Sequence, residues 1–169
     1  TLPSKRLKNN PVTFTHGDTA LKVTHKDHGM YATSNNVTIA GVSSGLSTTL
    51  SAAITSTATS LTLTSGTNFN NTTGKFAGTT DSTSRYYIKI DDEIMFYEVI
   101  SSTSVSSLNR AQEGTTAAAH SAGATVEFFQ LHKVPLSQVN KTHTSIGNID
   151  LDSYSITLTS SPVFDGGSG

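Results

Sequence analysis

The sequence predicts an all-β chain, and three observations carry that reading. β-Branched and aromatic residues recur in short runs of alternating apolar and polar positions. Gly, Asn, Asp and Ser punctuate those runs at turn-like intervals. Stretches with helical periodicity are nearly absent, and the composition favours hydroxyls instead: 24 Ser and 28 Thr among 169 residues. Charged residues make up only 14%, against ~25% in an ordinary globular chain. A net charge of -1 removes the self-repulsion that keeps weakly hydrophobic chains unfolded.

The elements follow in order. Val12 to Thr15 and Leu21 to Thr24 read as short strands. Asn36 to Ala40 alternates and ends at Gly41. Ser60 to Thr64 places Leu61 and Leu63 on one face and Thr on the other. Tyr86 to Ile90 and Ile94 to Ile100 flank Asp91-Asp92-Glu93, the strongest hairpin signal in the chain. The second of these strands is apolar on both faces and is expected to be central and covered. Ser104 to Asn109 can return as the third strand of a meander; Thr125 to Phe129 and Ser153 to Thr159 follow. Helix is expected only as single turns, at Thr48 to Ile54, Thr116 to His120 and Pro135 to Asn140. Asn68 to Thr80, rich in Thr, Asn and Gly, reads as a long loop.

Several function classes are excluded or disfavoured by composition. No Cys is present, which removes disulfide scaffolds, thiolate zinc sites and Cys nucleophiles without fixing a compartment. No apolar run approaches the ~20 residues that span a bilayer. The near-neutral balance disfavours a nucleic-acid binder. Thr1 to Arg6 lacks the apolar core of a signal peptide, and Gly166 to Gly169 has linker composition. The chain reads as part of a longer polypeptide, with an extended N-terminal arm over residues 1–11 and a linker over 166–169. In the arm, Leu2 and Leu7 offer apolar anchors and Lys5, Arg6 and Lys8 a small basic run. These five are the candidate protein-interaction residues.

Candidate chemistry is thin. His16, His25, Asp27 and His28 form a His/acid cluster, but on strand and turn positions rather than a scaffold that would converge ligands on zinc. Asp91, Asp92 and Glu93 could offer oxygens to a hard cation, yet read more simply as a solvated hairpin tip. Neither a Gly-x-Ser-x-Gly elbow nor a phosphate-cradling loop occurs. The Asn-x-Thr matches at Asn36, Asn70, Asn71 and Asn140 arise readily by chance in a Thr-rich chain. No catalytic residue, no metal site and no cofactor is expected.

Two distant segments look like halves of one motif. The first holds His28-Gly29-Met30 and then Val37-Thr38-Ile39-Ala40-Gly41. The second holds Val134-Pro135, Asn140-Lys141-Thr142-His143 and the strand around Tyr154. Joined, they resemble a small β-module of tailed-bacteriophage structural proteins, of the cyanophage-like kind. The pattern is also similar in fold to the small barrel inserted in ubiquitin-activating enzymes, their first catalytic-cysteine half-domain. His28-Gly29 suits a turn with positive φ at Gly, and Asn140 a tight connection through its side chain. His143 is expected to serve as a structural hydrogen-bonding residue.

The stretch between them resembles a second phage-type β-module. Its markers are Tyr87 to Met95, then Leu108 to Ala117 with Arg110-Ala111-Gln112-Glu113-Gly114-Thr115 inside it, then His120 to Val126. Ala111 stands where the resembled pattern often has Gly.

The resemblances imply a small β-barrel or sandwich (residues 12–47 and 130–165) split by an inserted β-meander or barrel (48–129). Charge follows the same division: four basic and seven acidic residues within 48–129, seven and five outside it. Val37 and Ile39 are then expected to share a core with Val139, Ile146 and Tyr154. The implied function is that of a virion structural protein of a tailed phage, in tail, baseplate or fibre, acting by assembly with other virion proteins or copies of itself. The alternative is an adhesin module that contacts a glycan receptor, with Tyr86, Tyr87 or Tyr97 as the aromatic, although all three sit in strand patterns. Nucleic acid and membrane are not expected as partners.

Overall fold

A computed structural model describes residues 5–67, 69 and 85–167. Leu2, the Asn70 and Asn71 sequons and most of the expected loop at 68–80 lie outside these residues. The chain is all-β. Its strands are β1 (Val12–Phe14), β2 (Ala20–Thr24), β3 (Val37–Thr38), β4 (Ser47–Thr49), β5 (Leu61–Thr62), β6 (Tyr86–Ile90), β7 (Glu93–Tyr97) and β8 (Val99–Ser101), then β9 (Ser104–Ser106), β10 (Asn109–Gln112), β11 (Thr125–Phe128), β12 (Gln130–Leu131), β13 (Val134–Pro135), β14 (Thr142–His143), β15 (Ser153–Thr157) and β16 (Gly166–Gly167). Among the described residues the sheets are antiparallel and none closes into a barrel. No helix among them is long and apolar enough to cross a membrane.

Two hydrophobic cores organise these strands. The first gathers residues from both ends of the chain: Val12, Phe14, Leu21 and Val23 with Leu131, Val134, Leu136, Val139, Ile146, Tyr154 and Ile156. Val37 and Ile39 pack against it, half-buried, together with Leu7. Its main sheet runs β15-β2-β1-β16, flanked by the small pairs β12-β13 and β14-β3. The second core gathers Leu50, Leu61, Leu63, Phe69, Ile88, Ile90, Met95, Tyr97, Val105, Val126 and Phe128. It lies between a five-stranded sheet, β10-β7-β6-β11-β4, and a three-stranded one, β5-β9-β8. β7 is an interior strand, between β10 and β6, and is buried at every position, as its two apolar faces require.

The two units touch through more than their connections. Ile94, on β7, is only 5% exposed and belongs to the first core, and Tyr87 packs against that core from β6. The backbone N–H of Tyr87 donates to the Gln130 side chain (3.0 Å), and the Phe129 N–H donates to the Tyr87 carbonyl (2.8 Å). The chain enters and leaves the second unit at one place. Ser44 donates its hydroxyl to the Phe128 carbonyl, and the Phe128 N–H donates to the Leu46 carbonyl at 2.9 Å.

Several elements differ from the sequence reading, each for a physical reason. Ile94 to Ile100 is two strands, because the chain bends at Glu98 and passes from the five-stranded to the three-stranded sheet. Ser104 to Asn109 breaks in the same way, at Ser107 with φ +52°. The expected helical turns at Thr48 to Ile54 and Thr116 to His120 do not form: the first is strand and bridge on either side of a bend at Ser51–Ala52, and the second is irregular. Their backbones bridge one another at Ile54–His120, and Leu50 bridges Leu63. At Pro135 to Asn140 the chain does turn, as a short 3-10 segment over Leu136–Gln138. Asn36 to Ala40 shrinks to β3; beyond it the Asn140 side chain takes both backbone groups of Val42 (N–H to Oδ1, 3.0 Å; Nδ2 to O, 2.7 Å). Asn140 thus ties distant segments rather than forming a local turn.

The termini also differ from the expected arm and linker. Leu7 packs on the chain's own first core, and Lys5 Nζ donates to the Lys26 carbonyl at 2.7 Å. Gly166–Gly167 is a strand paired with Thr13 and Phe14. Glycine is required at 166. A Cβ on Gly166, at φ +150°, would lie 2.6 Å from the His132 ring, and one on Gly167 would meet the Asn10 side chain.

Candidate functional site

The most concentrated chemistry lies in the second unit, at the hairpin β6-β7. Asp91 (φ +52°) makes the turn that the sequence suggests. Glu93 does not belong to a solvated tip: it opens β7 and is 1% exposed. A carboxylate there must be matched by donors or it would not stay ionised. Arg110 supplies two in a forked pair, Nε to Oε1 at 2.8 Å and a terminal nitrogen to Oε2 at 2.7 Å. The backbone N–H groups of Ala111 and Ala118 each donate at 3.0 Å. His120 Nε2 donates at 2.8 Å, and its Nδ1 meets Asp91 Oδ2 at 2.7 Å. With both ring nitrogens on carboxylates, the arrangement in which both donate is the imidazolium. Burial pushes the Glu93 carboxyl up, but these hydrogen bonds, Arg110 foremost, outweigh it and hold the group at about 2.

This hub fastens three loops to one strand. Arg110 also donates to the carbonyls of Thr55 (2.8 Å) and Ala118 (2.6 Å). Gln112 Nε2 closes onto the Arg110 carbonyl at 2.9 Å. Ala111 sits at φ +54° and Gly114 at φ +78°. The left-handed position at 111 explains why a Gly suits the resembled pattern there. An Asp–His–Glu chain resembles catalytic machinery, but each donor here ends on an acceptor within the hub. Among the described residues, no group of three or more His, Asp or Glu could hold a metal ion.

In the first unit the motif residues act through neutral hydrogen bonds. His28 accepts the Met30 N–H at Nδ1 (3.0 Å), so Nε2 carries the proton donated to the Asp150 carbonyl at 2.7 Å. Both nitrogens are engaged, which disqualifies His28 as a metal ligand. Gly29 follows at φ +68°. His28 meets the Tyr154 ring edge-on at 5.3 Å, with His25 beside both. Burial, then the charge of Lys5, lowers the His25 pKa. His16 is exposed on a separate turn. His143 donates Nε2–H to the Val139 carbonyl at 2.9 Å. Thr142 pairs with Thr38 in the β14-β3 ladder, their hydroxyls 2.8 Å apart. Gly41 (φ +82°) lies three residues beyond the end of β3, and Pro135, in β13, pairs with Gln130. Of the basic run, Arg6 and Lys8 are exposed.

Residue spacing gave no sign of a groove at the junction of the two units. It encloses about 310 Å³ and is lined by Arg85 and Tyr87 from the second unit and Lys133, Ser160, Ser161 and Val163 from the first. Arg85 stacks over the Phe96 ring at 4.6 Å, and Tyr87 meets the same ring edge-on at 5.6 Å. Opposite them, the buried Gln138 accepts the N–H groups of Thr159 (3.1 Å) and Ser160 (3.0 Å) and donates to Ser160 Oγ at 3.0 Å. The third wall is the β12-β13 turn, with His132 (φ +51°) and Lys133 (φ +69°) at its centre. Asn-Gly is the usual sequence for such a turn. The other tyrosines considered for sugar contact are in the core: Tyr86 is 7% exposed and Tyr97 fully buried, stacked on each other at 5.1 Å. Burial raises the Tyr97 pKa. No family model, no curated protein and no solved structure matches the chain.

Proposed function

We propose that the chain is a virion structural protein of a tailed phage, in the tail, baseplate or fibre, and that it acts by assembly with other chains rather than by turnover. The observation that supports this is a set of open sheets under a lightly charged surface. Among the described residues β8 is hydrogen-bonded to β9 on one side only, with Val99 half-exposed at its start. Tyr31 (90% exposed) and Leu151 (75%) add large apolar side chains to a surface that carries little charge to repel a neighbour. Such edges and side chains are what a partner strand or copy covers. The hub and the histidine bonds hold the fold, which fits a scaffold role.

A density map of the native particle tests the reading. The expected result is this chain in contact with neighbouring virion proteins over more than ~1,000 Å² in total. Finding it in its native source as a free monomer would overturn the proposal.

A further inference from the structure

We propose that His28 is an acid-sensitive clasp: on taking up a proton it releases Met30, and the first unit opens between residues 28–35 and 146–153 while the second unit stays folded. This goes beyond assembly and does not depend on it. The geometry fixes where the proton sits. A backbone N–H can only donate, so the Met30 N–H at 3.0 Å requires a lone pair on His28 Nδ1. Nε2 then carries the single ring proton, given to the Asp150 carbonyl at 2.7 Å with the Ser153 carbonyl at 3.2 Å. An imidazolium has a hydrogen on both nitrogens. In that form Nδ1–H would face the Met30 N–H, and a buried donor would lose its acceptor. His28 is only 5% exposed, so water reaches Nδ1 only if the segment moves.

The surroundings add to the cost of that charge. The His25 ring lies 5.8 Å from His28, and both pack on the buried Tyr154. Lys5, held by the Lys26 carbonyl, brings a further positive charge to this corner, and Lys26 itself is exposed. The carboxylates nearby are turned to backbone or to solvent. Asp150 accepts the Leu151 N–H at 2.7 Å, Asp152 accepts the Asp27 N–H at 3.0 Å, and Asp27 is exposed. Among the described residues none of the three bonds either imidazole. The clasp closes a seam of the first core: Met30 and Ile146 are buried there, and the Ile146 N–H donates to the Thr33 carbonyl at 2.9 Å. Tyr31 and Leu151, already exposed, follow the two bonded residues directly, so release widens an existing apolar surface. The second unit responds in the opposite sense. His120 has a carboxylate at each ring nitrogen, and Glu93 keeps its charge down to about 2, so mild acid leaves the hub intact. Closure of the clasp is favoured above the ordinary histidine range, ~6.5, and weakens below it by up to about thirtyfold at pH 5.

The test is amide hydrogen exchange on the chain between about pH 7.5 and about pH 5, corrected for the intrinsic pH dependence of exchange, with the imidazole ring signals followed by NMR in the same samples. Protection at Met30 and Ile146 should fall about tenfold as the His28 ring takes up its proton, and at Ile88 and Met95 it should not change. His28→Asn keeps an oxygen for the Met30 N–H and takes up no proton, so its protection should stay level across the range. His25→Gln should retain the fall. Protection of Ile146 at neutral pH shows whether each variant is closed; if His28→Asn is not, the ring signals of the unaltered chain decide. The proposal is overturned by unchanged protection at Met30 and Ile146 in acid, by an equal fall in a closed His28→Asn, by a fall that follows the His25 ring instead of the His28 ring, or by a simultaneous loss at Ile88 and Met95.

Discussion

The two units solve the same problem by opposite means. Both are small β-structures that must satisfy buried polar groups with few charged residues. The first unit uses neutral side chains as bridges to backbone: His28 to Asp150, His143 to Val139, Asn140 to Val42, Gln138 to Thr159 and Ser160. Each bridge ties one or two strand ends, and its loss is local. The second unit concentrates charge at Glu93, where Arg110, His120 and two backbone N–H groups meet. Breaking a buried ion pair leaves an unmatched charge, whereas breaking a neutral bond leaves an unmatched dipole, and the first costs more. Distributed bonding suits a core assembled from distant segments. A hub suits a meander whose loops converge on one hairpin.

The comparison predicts a graded series of effects. Replacing residues 48–128 by a short Gly-Ser linker is the severest break. The first unit should keep a single cooperative transition in denaturant, weakened by the loss of Ile94 and Tyr87 from its core. Glu93→Ala should cost about 3–5 kcal/mol in equilibrium unfolding, because it strands the Arg110 guanidinium. Ile94→Ala should cost about 2–5 kcal/mol for the cavity it leaves, and the perturbed amide signals should be those of the first core. His28→Ala should cost only about 1–3 kcal/mol, and hydrogen exchange around Ile88 and Met95 should not change.

Acid gives an independent measure of the hub. The Glu93 pKa is depressed on folding from 4.5 to about 2. Its contribution is therefore fully present above pH 4.5 and is lost as pH falls through 2. The difference amounts to about 3 kcal/mol. Stability measured across this window should fall in the unaltered chain and lose that component in Glu93→Gln. The smallest effect is a gain. Ala111→Gly relieves a left-handed alanine and should stabilise by about 0.5–1 kcal/mol after the entropy added to the unfolded chain.

The all-β class and the covered β7 were legible because alternation and two-sided apolarity record burial directly. So was the contact of Val37 and Ile39 with the core of Val139, Ile146 and Tyr154. Glu93 was not legible: an acid beside two others looks solvated until Arg110 and His120 are brought to it from elsewhere in the chain. The bends at Glu98 and Ser107 left no sequence mark, since a strand that changes sheets keeps its alternation. Phe69, in a run of Thr, Asn and Gly, is 1% exposed, and its carbonyl accepts the Tyr97 hydroxyl at 3.0 Å. One aromatic anchored where composition suggested a loop. The groove depends on two units meeting, which no local pattern encodes.

The closed stem at Ser44 and Phe128 dictates an order of events in time. β3 and β14 meet through Thr38 and Thr142, 104 positions apart, and closing so long a loop is slow. If the second unit folds first, its stem brings those ends together and the effective loop shrinks to roughly a fifth, lowering the closure cost by about 1.4 kcal/mol. The second unit is contiguous in sequence; the first cannot complete its main sheet until β15 and β16 have been synthesised. During translation β1, β2 and β3 therefore wait, unpaired with their sequence-distant partners, while the unit between them assembles and delivers the other half of their core.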